Sequence, residues 1–341
     1  MTETFLYWHL RTLLAWSLAL IAMVFFAATT KGFLSLGNLF ALGQAFAVLA
    51  LVASGLTVVM LMGQFDLSIT AVFPLTGLVA VKVSDWQGPV TGILVAMGVG
   101  LAIGAVNGLL TAVFRIPSLA VTIGTMVLAI GVGHFITGGE LVQAENYQFG
   151  LTLTNPVAGI LSVQSLIELA VVAAILVMLG ATWLGRYVYA IGENAERARA
   201  SAIPVRPVMV AGFLICGLCA ALGGALQGTA LATGQAGTND AFLLQAATAA
   251  VLGGIALTGG RGSLVGTIGA ALLLAMISNG LSLAGADSAA VQLVNGVILL
   301  AVVLMHAPLT KVVSLRPQQW FSRNSKEQNT TRIEDSHVGI S

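Results

Sequence analysis

The side chains that could do chemistry are few, and most of them interrupt apolar runs. Asp66 lies in Gly63-Gln64-Phe65-Asp66-Leu67-Ser68, a polar break between two hydrophobic stretches. An acid there can cap the helix that follows, where the positive helix end favours it, or it can meet a cargo molecule. The cap or backbone clasp is the simpler role. Asn107, Thr111, Thr122, Thr125, Asn279, Gln292 and Asn295 are polar residues inside apolar runs. Such neutral groups suit a path for a neutral, polyhydroxyl solute, with Asn107, Thr122, Thr125, Asn279 and Gln292 as the path candidates. For any single one, a hydrogen bond between helices, which serves packing alone, is the simpler role.

No engine is written into the chain. A phosphate-binding loop needs Gly-x-x-x-x-Gly-Lys-Ser/Thr, because its lysine reaches the phosphates. Lys31, Lys82, Lys311 and Lys326 all follow residues other than glycine. The stretch from Gly253 to Ser263 is rich in glycine but lacks that lysine. It reads as a bend between helices, and Gly259, Gly260 and Arg261 join Asp66 as inner-turn, gating candidates. Ion-coupled carriers keep ionisable groups within their spans. Here only Glu168 and His134 come close, and both are expected at span ends. Cys216 and Cys219 form a C-x-x-C inside an apolar run, where they read as small hydrophobes rather than a redox or zinc pair. No catalytic, cofactor-binding or metal-ligating residue is expected, and the energy for any transport is expected from another subunit.

One charge-dense interruption stands apart. Between Gly185 and Pro207 fall Arg186, Glu193, Glu196, Arg197, Arg199 and Arg206. Asn194 suits a helix N-cap, since its side-chain oxygen can accept from an orphan N–H. Glu193 stands four residues before Arg197, the favourable order for a helical ion pair. Pro204 and Pro207 are expected to stop the helix. So short a helix is marginal alone in water. A docking partner is therefore expected on Gly192, Glu193, Asn194, Glu196, Arg197, Ala198 and Arg199.

The elements that must position these residues are membrane helices. Of 341 residues, 57% are hydrophobic and only 8% are charged, and the mean hydropathy is +0.97. A soluble domain carries about 25% charge, so the composition describes an all-α integral membrane protein. The net charge of +1 gives no basic field for nucleic acid. A ruler of about 20 apolar residues per span gives about ten segments, near 12–29, 39–62, 67–83, 90–113, 117–137, 164–183, 208–231, 242–258, 264–284 and 289–306. The third and eighth are short and interrupted, so either could be a partial span, and Pro74 would kink the third. Gly100, Gly104 and Gly108, with Gly224–Gly228 and Gly262–Gly266, have the spacing that lets helices approach closely.

Positive charge orients membrane proteins. With ten spans and an inner N-terminus, Arg11, Arg115, Arg186, Arg197, Arg199, Arg206, Arg261, Lys311, Arg316, Arg323, Lys326 and Arg332 fall inside, and only Lys31 and Lys82 outside. A permease domain over 1–316 is expected, with 185–207 cytoplasmic, followed by a disordered cytoplasmic tail over 317–341. The stretch 138–164 is the longest outer loop and could meet an extracytoplasmic partner. The breaks at 63–68 and 259–263 share a plan and an expected side, a faint sign of duplicated halves.

Four blocks give the chain a family likeness: Gly63 to Ser68, Ile116 to Thr125, Gly185 to Asn194, and Ala249 to Thr267 continuing to Asn279-Gly280-Leu281. In order and spacing, from about 35 to 306, they resemble the membrane permease subunits of bacterial ABC importers of the ribose, xylose and autoinducer-2 family. The resemblance implies a type II importer permease of about ten spans in the inner membrane, with both termini cytoplasmic. It also implies ATPase subunits below, a periplasmic solute-binding protein above, and a second permease subunit, the same or different, across a central path. On this likeness 192–203 is the coupling helix that sits in a groove of the ATPase. Gln64, Phe65 and Ala202 depart from the family pattern, the last standing where the family has Gly. The implied cargo is a pentose- or hexose-like sugar. A branched-chain amino acid, a nucleoside or autoinducer-2 is the alternative cargo, and a stand-alone secondary carrier is the alternative mechanism.

Overall fold

The structure is a computed structural model that describes residues 2–306 except Asn146 and Ala158. The expected tail over 317–341 lies outside the described residues. The chain divides into two compact units, Met1–Leu300 and Ala301–Ser341. The packing below is that of the first; of the second, the described residues 301–306 are helical.

The chain opens with α1 (Thr2–Thr29), α2 (Leu36–Leu61), α3 (Ile69–Gln87), α4 (Pro89–Ala112) and α5 (Ser118–Thr137). Short pieces follow: β1 (Val142–Gln143), α6 (Gln148–Leu153), β2 (Pro156–Val157) and β3 (Leu161–Ser162). Then come α7 (Val163–Ala181), α8 (Trp183–Glu193), α9 (Ala195–Ala200), α10 (Val205–Leu231), β4 (Thr233–Gly234), α11 (Asp240–Leu252), α12 (Leu264–Leu283) and α13 (Ser288–His306). Among the described residues, eight helices (α1 to α5, α7, α10 and α12) are long and apolar enough to cross a membrane, and α11 and α13 carry shorter apolar stretches. That agrees with the expected count of about ten.

The interior is built from helices that are apolar all round, as burial on every side demands. In α2 every residue from Ala47 to Leu61 is buried. α10 is the hub, packing against α4, α3 and α2, while α12 packs on α1, α2 and α11. Glycine sets these distances. A Cβ at Gly104 would stand 2.6 Å from the Phe213 carbonyl, and one at Gly108 2.8 Å from the Val210 Cα, so α4 and α10 touch backbone to backbone. Gly228 does the same against Gly77 of α3, where a Cβ would lie 2.7 Å from the Gly77 Cα. The packing role read for Gly100–Gly108 and Gly224–Gly228 holds. Gly262 instead precedes α12 in a turn at φ +135°.

Of the two interrupted segments, it is the eighth that falls short. α11 has 13 residues, and at about 1.5 Å per residue it covers roughly two thirds of a hydrocarbon core of about 30 Å. The third keeps 19 helical residues with Pro74 inside. Proline leaves the carbonyl four residues back without its helical donor. That carbonyl is Thr70, and the backbone N–H of Asn239, just before α11, donates to it at 2.9 Å. The carbonyl that Pro74 leaves free is thus tied to the entry of the short helix. Opposite the Gly63–Ser68 turn, Val142–Gln143 pairs antiparallel with Thr233–Gly234, and the Lys82 Nζ donates to the Ile136 carbonyl at 3.2 Å.

Candidate functional site

The charge-dense stretch folds as two helices rather than one. Asn194 is extended (φ −165°, ψ 106°) and breaks the chain between α8 and α9. Its side-chain oxygen accepts from the Arg197 N–H at 2.9 Å, the N-cap expected from sequence. The break also separates Glu193 from Arg197, so the expected ion pair between them does not form. Glu196 pairs with Arg199 within α9, and Glu193 reaches Arg261 at 3.9 Å. The end of α9 differs from expectation as well. Ala202 turns left-handed at φ +59°. The Ile203 N–H donates to the Ala198 carbonyl and the Ala202 N–H to the Arg199 carbonyl, each at 3.0 Å. These two bonds form a Schellman stop. Pro204 precedes α10 and Pro207 lies in its first turn, where a missing N–H leaves no helical bond unmade.

Two distant segments meet against this stretch. The Gly260 N–H donates to the carbonyl of Leu61, the last residue of α2, at 2.7 Å. Any side chain at Gly192 would run into that same Leu61 carbonyl and the Gly260 amide. A Cβ at Gly260 would stand 2.7 Å from the Glu193 Cα, and one at Gly259 2.7 Å from the Gly63 Cα. Gly63, Gly259 and Gly260 have φ of +73°, +82° and +75°, a region where a side chain is strained. The Tyr189 hydroxyl donates to the Gly262 carbonyl at 3.1 Å, and burial pushes its phenol up from the ordinary value. Gly192, Glu193, Gly259, Gly260 and Arg261, drawn from two separate stretches, therefore form one knot with the end of α2. The two breaks of similar plan lie side by side.

Asp66 belongs to a second cluster behind the knot. Ser68 donates to Asp66 Oδ1 from its backbone N–H at 2.9 Å and from its hydroxyl at 2.5 Å. The Asn107 amide donates to the Ser68 hydroxyl oxygen at 2.9 Å, and the Thr125 hydroxyl donates to Asn107 Oδ1 at 2.7 Å. All four are buried, so the donors run in one direction from α5 through α4 to the turn before α3. Burial pushes the Asp66 carboxyl up, and the bonds from Ser68 and Asn107 pull it partly back. The backbone clasp expected at Asp66 is made by the Ser68 N–H, while the N-cap position of α3 is held by Ser68 itself and Asn107 and Thr125 extend the network behind it. Thr122 is buried on the same helix, its hydroxyl 3.5 Å from the Leu119 carbonyl.

The remaining path candidates lie elsewhere. Asn279 exchanges amide bonds with Asn38 at 2.9 and 3.0 Å, which ties α12 to the start of α2. Gln292 is exposed on α13. Sequence reading missed Asn38, Gln245 and Ser278. Gln245 and Asn295 both donate to the Ser278 hydroxyl oxygen at 3.2 Å, and the available signal was a polar residue in each apolar run. Glu168 stands in the second turn of α7, near the span end where it is expected, and is fully buried against protein, with the Gln164 amide donating to it at 3.0 Å. His134 is exposed near the end of α5. At the end remote from the knot, a groove of about 440 Å³ opens between α3 and α10, lined by Gln227, Gln235, Thr233, Thr238, Asn239 and Phe73 among others, with no charged side chain.

Among the described residues, eight apolar helices of spanning length and two shorter ones, packed closely through glycines, with one charged helical segment knotted to the end of a buried span, define a multi-pass membrane protein. The chain belongs to the family described as branched-chain amino acid transport system, permease component, whose model matches residues 38–303. It is 34% identical over 241 residues to the ribose import permease protein RbsC of Escherichia coli K12, covering 69% of this chain and 74% of that one. It is 30% identical to a probable ABC transporter permease protein, y4mJ, of Sinorhizobium fredii, over 71% of this chain and 73% of the relative. It is also 30% identical to the autoinducer 2 import system permease protein LsrC of Yersinia pseudotuberculosis, over 60% of this chain and 59% of that one. No solved structure matches it.

Proposed function

We propose that the chain is the membrane-spanning permease of an ATP-driven importer and passes a sugar inward from a periplasmic binding protein. The observation that carries the mechanism is the knot. α9 is too short to stand alone, yet Gly192 at its entry abuts the end of the buried helix α2 and the glycine turn before α12. A push on α8 and α9 by a nucleotide-driven partner is delivered to both halves of the bundle through backbone contacts, which do not yield as long side chains do. The coupling segment is Gly192, Glu193, Asn194, Glu196, Arg197, Ala198 and Arg199, with Asp66, Gly259, Gly260 and Arg261 at the inner gate. The knot end faces the cytoplasm of a bacterial cell, as do both termini, and ATP is hydrolysed on separate subunits. A second permease subunit and lipid complete the surroundings.

The cargo reading rests on chemistry and on relatives. The groove above α3 and α10 offers amides and hydroxyls without charge, which suits a neutral polyhydroxyl solute. Relatives include ribose and autoinducer 2 permeases. Asn107 and Thr125 are occupied within the buried clasp, which favours Gln227 and Gln235 over them as groups that meet cargo. A tagged chain purified in mild detergent is expected to bring an ATPase and a binding protein with it, identified by mass spectrometry. Transport by the lone chain in proteoliposomes without ATP would overturn the reading in favour of a secondary carrier.

A further inference from the structure

We propose that the chain holds the phosphate of an anionic membrane lipid between Arg115 and Arg206, beside the coupling segment. The turn between α4 and α5 and the first turn of α10 enclose a groove of about 300 Å³ lined by Arg115, Arg199, Pro204, Val205, Arg206 and Pro207. A second groove of about 390 Å³ shares Arg115 and Arg199 and adds Glu196. Arg199 is paired with Glu196, whereas among the described residues no carboxylate lies within ion-pair distance of Arg115 or Arg206. Two unneutralised guanidinium groups beside one concave wall repel each other, and a phosphate that accepts from both relieves this.

Depth selects the ligand. The apolar run of α4 ends at Ala112, that of α5 begins at Ser118, and α10 begins at Val205. The groove thus sits where three spans leave the hydrocarbon, at the level of lipid headgroups. The flanking side chains Val113, Phe114, Ile116 and Leu119 are exposed apolar groups, suited to acyl chains below a headgroup. Arg115 is itself held at φ +59°, a left-handed conformation unfavourable for a long side chain. Strain of this kind persists where the surroundings demand one orientation.

The test uses the full-length chain in mild detergent, with thermal unfolding followed after addition of phosphatidylglycerol, phosphatidylcholine or inorganic phosphate. Phosphatidylglycerol is expected to raise the midpoint and phosphatidylcholine to leave it unchanged. Arg115→Gly removes the charge and relieves the backbone strain, so the variant with Arg206→Gln should fold, and its apparent affinity for phosphatidylglycerol should fall about 30-fold. The Arg115→Lys, Arg206→Lys variant should keep part of the response. Equal responses to the two lipids, or an undiminished response in the Arg115→Gly, Arg206→Gln variant, would overturn the proposal. So would a full response to inorganic phosphate alone, which would mark a site for a free anion.

Discussion

The Gly260 amide donates to the Leu61 carbonyl at 2.7 Å, across 199 residues of sequence. That bond fixes the glycine turn before α12 to the end of α2, and Gly192 packs against both partners. A methyl group at 192 has no space, because its neighbours are backbone atoms. Gly192→Ala is expected to destabilise the solubilised protein by about 1–3 kcal/mol and to lower uptake more than tenfold. Thermal unfolding and uptake into vesicles check the two effects separately. A variant with an unchanged melting midpoint and normal uptake would show that the contact gives way freely.

Ala202 occupies the left-handed stop of α9 at φ +59°. Glycine avoids the Cβ clash there but gains freedom in the unfolded chain, so Ala202→Gly should yield a net stabilisation of roughly 0.5–1 kcal/mol. The change should be local. Slower hydrogen exchange at the Ile203 amide is the expected signature, with transport retained.

Glu193 and Arg197 are exposed and lie on separate helices. The pair of changes Glu193→Lys and Arg197→Glu should therefore alter stability by less than about 1 kcal/mol. If the segment couples to an ATPase, co-purification of that subunit should be lost while the permease still folds. Intact assembly with normal transport would remove the segment from the coupling role.

The Asp66 carboxyl is pushed up from its ordinary value of 3.8 by burial. The native chain then binds this proton more tightly than the unfolded chain does. Its contribution to stability is fully present below the unfolded pKa and diminishes as pH rises toward the raised native value. Asp66→Asn should flatten that part of the stability profile, read as the difference between wild-type and variant melting midpoints across pH 4 to 7. A difference that is constant with pH would mean the carboxyl titrates normally.

Asn38 and Asn279 exchange two amide bonds. A double-mutant cycle with alanine should show a coupling of about 1–2 kcal/mol. If Asn279 serves packing alone, the Km for cargo should stay unchanged in Asn279→Ala. A raised Km at normal stability would return it to the path.

The membrane class, the number of apolar segments, the Asn194 cap and the packing role of Gly100, Gly104 and Gly108 were all legible in the sequence. Each depends on local composition or on spacing within one helix, which a linear reading captures. The separation of Glu193 from Arg197 was not legible, because the extended backbone at Asn194 sets it. Nor was the joining of Gly192 to Leu61 and Gly260, or of Thr125 through Asn107 and Ser68 to Asp66. Those contacts span tens to hundreds of residues, and no periodicity records them. Sequence alone determined that the chain would lie in a membrane, since its charge is too sparse and its apolar runs too long for water. Only the tertiary structure decided which polar groups satisfy one another. In an interior without water a buried donor can find its acceptor only among the helices that pack beside it, and that neighbourhood is a property of the assembled bundle.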